Sequence, residues 1–230
     1  MKNERSKKLL VIALGIVCVI GMMLLAACAP KVHTTAGDGN GEGNGAEGTT
    51  ANNSVGSDTS NVSDDVTYYA DIVIKDYGTI TVKLDQKSAP ATVANFVELA
   101  QSGFYDGLTF HRIKSGFMMQ GGDPLGNGTG GSDKNIYGEF ASNGFANDLS
   151  HKRGVISMAR ATDPNSASSQ FFIVHQDSTF LDGDYAAFGY VTEGMDIVDA
   201  ICAAARPIDG NYMIAPDEQP VMESVTIRTE

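Results

Sequence analysis

Alternation of apolar and polar positions becomes regular near residue 68. In YYADIVIKDYGTITVKLD, Ile72 and Ile74 alternate with polar positions. After the turn Asp76-Tyr77-Gly78, Ile80, Val82 and Leu84 alternate with Thr81, Lys83 and Asp85. A period of two on both sides of a glycine turn predicts a β-hairpin. The period then lengthens. In SAPATVANFVELAQSG, Val93, Phe96, Val97 and Ala100 form one helical stripe, Pro90 suits the first turn and Gly103 the C-terminal cap. Short strands are predicted at Leu108–Ile113, Phe117–Gly121, Gly154–Ala159, Gln170–Val174 and Phe188–Val191. A helix over Met195–Ala204 and an alternating strand from Val221 to Arg228 follow. Many short strands, glycine-rich loops and only two helices predict a closed β-barrel, which also removes exposed sheet edges.

The first 66 residues follow a different pattern. Lys2, Arg5, Lys7 and Lys8 precede an apolar run from Leu9 to Leu25, short for a membrane span. The run ends in LLAAC, with Ala26 and Ala27 before Cys28. This resembles a bacterial lipobox, so residues 1–27 read as a signal peptide and Cys28 as the lipidated residue; the alternative is a plain N-terminal membrane anchor with an incidental cysteine. Residues 28–66 are rich in Gly, Asn, Thr, Ser, Asp and Glu and hold too few apolar groups for a core. They read as a disordered tether, spanning about 34 Å root-mean-square as a flexible coil. DGNGEGNGAEGT in this tract imitates a calcium loop, but Thr49 stands where a bidentate glutamate is needed. The remaining residues, 67–230, form the folded domain. A net charge of −12 with no basic stripe beyond the leader argues against nucleic acid as a partner. With Cys18 in the leader and Cys28 lipidated, Cys202 stays single, as a small buried group on a helix rather than a catalytic thiol.

GxxxxGK[ST], GxSxG, HExxH and CxxC are all absent from the sequence. His111, His151 and His175 have no ligand spacing, and no metal or cofactor is expected. No serine or cysteine shows a base partner. The stretch that stands out is FHRIKSGFMMQGGDP, residues 110–124, which sets Arg112 and Gln120 beside Phe117, Met118 and Met119. A core strand would not take the arginine, and a surface loop would not take three large apolar groups.

Together with GVISMARATDPNSASSQFFIVH and FLDGDYAAFGYV, this stretch resembles the cyclophilin family of peptidyl-prolyl cis–trans isomerases. The likeness runs over nearly all of residues 68–230. It implies an eight-stranded antiparallel barrel capped by two helices and a reaction without metal or cofactor. By resemblance, Arg112 is the catalytic arginine, Gln120 orients it, and Phe117 belongs to the catalytic set. Phe117, Met118, Phe172 and Leu181 would hold the proline ring. Ala159 and Arg160 would hold the peptide backbone, with Gln170 beside them, and Phe180 and Tyr185 would form the rim. Phe180, Tyr185 and Arg160 stand where many cyclophilins have Trp, His and Asn, which puts cyclosporin sensitivity in doubt. Lys114 and Ser115 replace residues that are commonly apolar or proline.

The reading that follows is an extracytoplasmic, lipid-anchored monomer that speeds X–Pro rotation in exported or surface proteins. The alternative is a non-catalytic proline-peptide binder or holdase displayed at the membrane surface. A scaffold whose groove has no role is a third reading.

Overall fold

A computed structural model describes residues 66–230. The expected signal peptide, Cys28 and all but the last residue of the tether lie outside the described residues. Eight strands and two helices follow in the order β1 (Tyr68–Ile74), β2 (Gly78–Leu84), α1 (Pro90–Gln101), β3 (Arg112–Lys114), β4 (Met118–Gly121), β5 (Val155–Met158), β6 (Phe171–Val174), β7 (Ala187–Glu193), α2 (Met195–Ala204) and β8 (Met222–Thr229). They form one sheet ordered β3-β4-β6-β5-β7-β2-β1-β8, with every pairing antiparallel.

The hairpin forms as its alternation predicts. Tyr68, Ala70, Ile72 and Ile74 point inward from β1, and Ile80, Val82 and Leu84 from β2. Thr81, on the other face opposite Asp71, is also buried, and its hydroxyl donates to Asp71 Oδ1 at 2.7 Å. Helix α1 opens on Pro90, whose missing N–H costs nothing in a first turn. Its Phe96 ring centres lie 5.1, 5.5 and 5.3 Å from those of Tyr105, Phe171 and Phe188, which places the helix over the sheet's main apolar cluster. Past the helix, Gly103 takes a φ of +73°, as expected of a capping glycine. Helix α2 spans the predicted residues and buries Val198, Ile201 and Cys202.

Two expectations need correction. The strand predicted over Leu108–Ile113 shrinks to Arg112–Lys114, and the sheet is a curled half-barrel rather than a closed barrel. The open sheet follows from what occupies the outer edge of β3. Ile113 N–H donates to Tyr212 O at 3.0 Å and Ile214 N–H to His111 O at 2.9 Å, so residues 212–214 take the hydrogen bonds a neighbouring strand would need. Terminal strands β3 and β8 are therefore not paired with each other. Residues 108–110 still touch the approach to β8, through Phe110 N–H to Pro220 O at 2.9 Å and Met222 N–H to Leu108 O at 2.8 Å. Pro220, lacking an N–H, cannot return the bond. At the far side of β1, Thr67 and Glu230 exchange backbone bonds of 3.1 and 3.0 Å, tying both ends of the domain together.

Candidate active site

Strand register builds the site. Arg112 on β3 faces Gln120 on β4, and Gln120 faces Phe172 on β6. Partners in register share a face of the sheet, so the three side chains form one row. Two residues along, Lys114, Met118 and Val174 make a second row on the same face. The intervening residues Ile113, Met119 and Ile173 point the other way, into the main core. A smaller apolar cluster of Met118, Val155, Phe172, Val174, Leu181 and Ala187 thus lies on the opposite side of the sheet, with Phe117, Ala159 and Tyr185 packed against it.

The guanidinium beside this cluster is held at two points. Arg112 Nη1 donates to Gln120 Oε1 at 3.0 Å, and Nε donates to Asn211 O at 3.0 Å. Gln120 Nε2 donates onward to Gln170 Oε1 at 2.9 Å, and Gln170 Nε2 to Gly130 O at 2.8 Å. Both amide orientations are fixed by this relay, which leaves Gln120 its oxygen for the arginine. Burial lowers the arginine's pKa, opposed by Tyr185, Tyr212 and Asp209, but a guanidinium stays charged at any physiological pH. Among the described residues nothing pairs with Nη2.

The expected aromatic residues take distinct positions. Phe172 is buried as the floor, with Tyr185 edge-on at 6.0 Å. Phe180 stands 71% exposed, its ring 5.5 Å from that of Phe117. Ala159 N–H is engaged with Gln170 O at 2.9 Å, whereas Arg160 N–H finds no partner among the described residues. The Arg160 side chain lies against two rings, 5.0 Å from Phe140 and 4.8 Å from Tyr185, and its Nε donates to Asp184 O at 3.0 Å. Lys114 places its ammonium 4.4 Å from the Tyr212 ring centre and 5.8 Å from that of Phe117. Ser115 is exposed, and nothing in the structure explains its identity. A cavity of about 340 Å³ adjoins the row, lined by Gln120, Gly130, Ala159, Arg160, Ser166 and Gln170 among others.

Three partners escape sequence reasoning. Asn211 acts through its main-chain carbonyl, which leaves no trace in residue identity. His151 and Ser157, both buried, join the exposed Asp182 in a relay. His151 Nδ1 lies 2.8 Å from Asp182 Oδ1, and Nε2 lies 3.0 Å from Ser157 Oγ. No serine shows an obvious base partner in the sequence, yet Ser157 has one in the fold, His151 six residues away, which Asp182 in turn reaches from 31 residues along the chain. The arrangement is not a nucleophilic site, because Ser157 is wholly enclosed on β5 and no substrate can reach it. Instead the imidazole stacks behind Phe172, ring centres 6.0 Å apart. Burial lowers the His151 pKa, against the pull of Asp182, so the ring is neutral. His111 is also wholly buried and lowered by burial first, with Asp123 raising and Arg112 lowering it further. Wholly enclosed, the His111 ring is out of reach of a substrate.

Comparison with known proteins identifies the family to which this fold belongs. A family model described as cyclophilin type peptidyl-prolyl cis-trans isomerase/CLD matches residues 69–229. A peptidyl-prolyl cis-trans isomerase of Helicobacter pylori is 47% identical over 126 residues, covering 54% of this chain and 74% of the relative. Peptidyl-prolyl cis-trans isomerase B of Bacillus subtilis is 45% identical over 124 residues, covering 54% of this chain and 83% of the relative. A solved cyclophilin-type isomerase of Cryptosporidium parvum, crystallised in the presence of the dipeptide Ala-Pro, superposes with a TM-score of 0.62 at 28% identity. That superposition covers 70% of this chain and 99% of the other. The match runs from β1 to β8, and the chain belongs to the cyclophilin-type peptidyl-prolyl cis–trans isomerase family.

Proposed function

We propose that Arg112 is the group that stabilises the twisted amide, and that the smaller apolar cluster seats the proline ring. Rotation about an X–Pro bond must break amide conjugation, against a barrier of about 18–20 kcal/mol. No covalent bond forms or breaks and no electron or proton changes hands. What the site must supply is preference for the half-rotated form, in which nitrogen regains a lone pair. A fixed N–H donor aimed at that nitrogen does so, and does less for either planar form. The observation that carries this reading is the Arg112–Gln120–Phe172 row. It sets a donor anchored at 3.0 Å one strand from the amide that orients it and two strands from an apolar floor.

Phe117, Met118, Phe172 and Leu181 would grip the ring. The backbone at Ala159 and Arg160 would hold the peptide, with Gln170 beside it, and Phe180 and Tyr185 would border the opening. Magnitudes divide the work. Uncatalysed exchange takes tens of seconds, so millisecond turnover requires about four decades, or roughly 5.5 kcal/mol. A hydrogen bond to a charged group contributes about 1.5–3 kcal/mol. Desolvation by the apolar wall and restraint of the flanking carbonyl must supply the rest. A proline-peptide assay on the full chain tests the assignment. Arg112→Ala should lower kcat/KM about ten- to hundredfold, the share of one charged donor. Peptide binding without any rate effect in the wild type would instead identify a holdase.

The cellular setting is proposed from the leader alone. Residues 1–27 direct export, Cys28 carries the lipid, residues 28–66 tether, and the monomeric domain at 67–230 serves exported or surface proteins outside the cytoplasm. Cys28→Ser should move the protein from the membrane fraction to the soluble fraction. A variant that stays membrane-bound contradicts lipid anchoring at this cysteine.

A further inference from the structure

The geometry points to His175 as the positioning residue for the apolar wall that Phe117 forms. Phe117 is not on a strand. It sits at the end of the turn joining β3 to β4, where Gly116 takes a φ of +78°. Strand β3 is three residues long, so few ladder bonds restrain the turn. Both sides of the turn are instead gripped by one residue. Gly116 N–H donates to His175 Nδ1 at 2.8 Å, and His175 N–H donates to Phe117 O at 2.9 Å.

The first bond fixes the tautomer. Nδ1 accepts, so it carries no proton; the proton sits on Nε2, which faces Asp199 Oδ1 at 3.1 Å. Asp199 lies on α2 and is clamped by both Arg153 terminal nitrogens at 2.8 Å. Arg153 Nη1 also donates to His175 O at 2.8 Å, closing a ring of bonds around the histidine. Through this ring, helix α2 is linked to a turn on the rim of the groove. The proposed reaction uses neither His175 nor Asp199 as an acid or base, so their bonds serve to hold Phe117 against Phe180.

The inference rests on Phe117 being part of the ring seat, and it deepens that reading. Met118, Phe172 and Leu181 form the buried part of the wall and keep water out whether or not the turn is held, so loosening Phe117 weakens the grip on ground state and transition state alike, which raises KM and largely spares kcat. His175→Ala should raise KM about three- to tenfold, the range set by the net contribution of one hydrogen bond, with kcat nearly unchanged. His175→Asn places an amide oxygen where Nδ1 was and should restore KM. Amide hydrogen exchange at Gly116, followed by NMR, supplies a readout independent of turnover. It should accelerate in His175→Ala and return toward wild type in His175→Asn. An Ala variant with unchanged KM and unchanged Gly116 exchange overturns the assignment, as does an Asn variant that behaves like Ala. If the isomerase reading itself is wrong, wild type and Arg112→Ala turn over alike, and Gly116 exchange still decides the role of His175.

Discussion

Met118 and Met119 are neighbours in sequence, and the pleat sends them into different clusters. Met118 belongs with Phe172 and Leu181 on the groove side, Met119 with Ile113 and Ile173 in the main core. Truncating each should therefore have separable effects. Met119→Ala should cost about 2–5 kcal/mol of stability, as large-to-small core changes do, and leave the KM of the folded protein alone. Met118→Ala should raise KM as well as lower the unfolding midpoint. Equal KM shifts for the two would contradict the assignment of faces. The common face of Arg112, Gln120 and Phe172 was legible because family resemblance singled them out and period two puts them in one row, whereas Phe117, on the turn beside them, is marked by the resemblance alone. His151, Asp182 and the Asn211 carbonyl were not legible. Their roles come from loops whose course no local pattern fixes, and a main-chain oxygen carries no residue identity.

Helix α1 shows how an element can depend on a distant residue. Its N-cap, Ala89, offers no side-chain bond. The cap comes from buried Glu139, which accepts from Ala91 N–H at 2.9 Å, Thr92 N–H at 2.8 Å and Thr92 Oγ at 2.7 Å. A carboxylate there satisfies orphan amides and opposes the positive end of the helix dipole. Glu139→Gln should destabilise by about 0.5–2 kcal/mol, the range for loss of a cap, read as a lower denaturant midpoint at unchanged slope. An unchanged midpoint contradicts this role for Glu139. Nothing at residues 86–92 foretells this, since the partner is 47 or 48 residues away. The strand boundary at β3 failed for a related reason. Leu108 and Phe110 read as strand because one packs on the core and the other is buried in it, yet their backbone bonds go to Met222 and Pro220 as isolated contacts rather than a continuous ladder.

At the scale of the whole molecule, two buried histidines set the response to acid. Burial holds the pKa values of His111 and His151 below their ordinary value of 6.5, so the folded protein keeps both neutral. The unfolded chain takes up those protons at higher pH than the folded one. Stability is therefore fully present above about pH 6.5 and falls progressively below it. Asp123 and Asp182, whose carboxylates accept backbone N–H bonds, have lowered pKa values and extend the loss to still lower pH. A thermal midpoint scanned downward from about pH 8 should decline below that point. A flat profile to about pH 5 would contradict neutral burial of these rings. Cys202 reports the same transition chemically. Burial pushes its thiol up to about 12, with Asp199 adding to the shift, so thiol reagents should modify it only as fast as the domain unfolds.

The exchanged bonds between Thr67 and Glu230 allow a different use of the fold. Because those two positions are already in contact, a few residues of linker could splice one directly to the other. The sequence could then be reopened at an exposed loop such as 125–129, giving a circular permutant with every strand neighbour preserved.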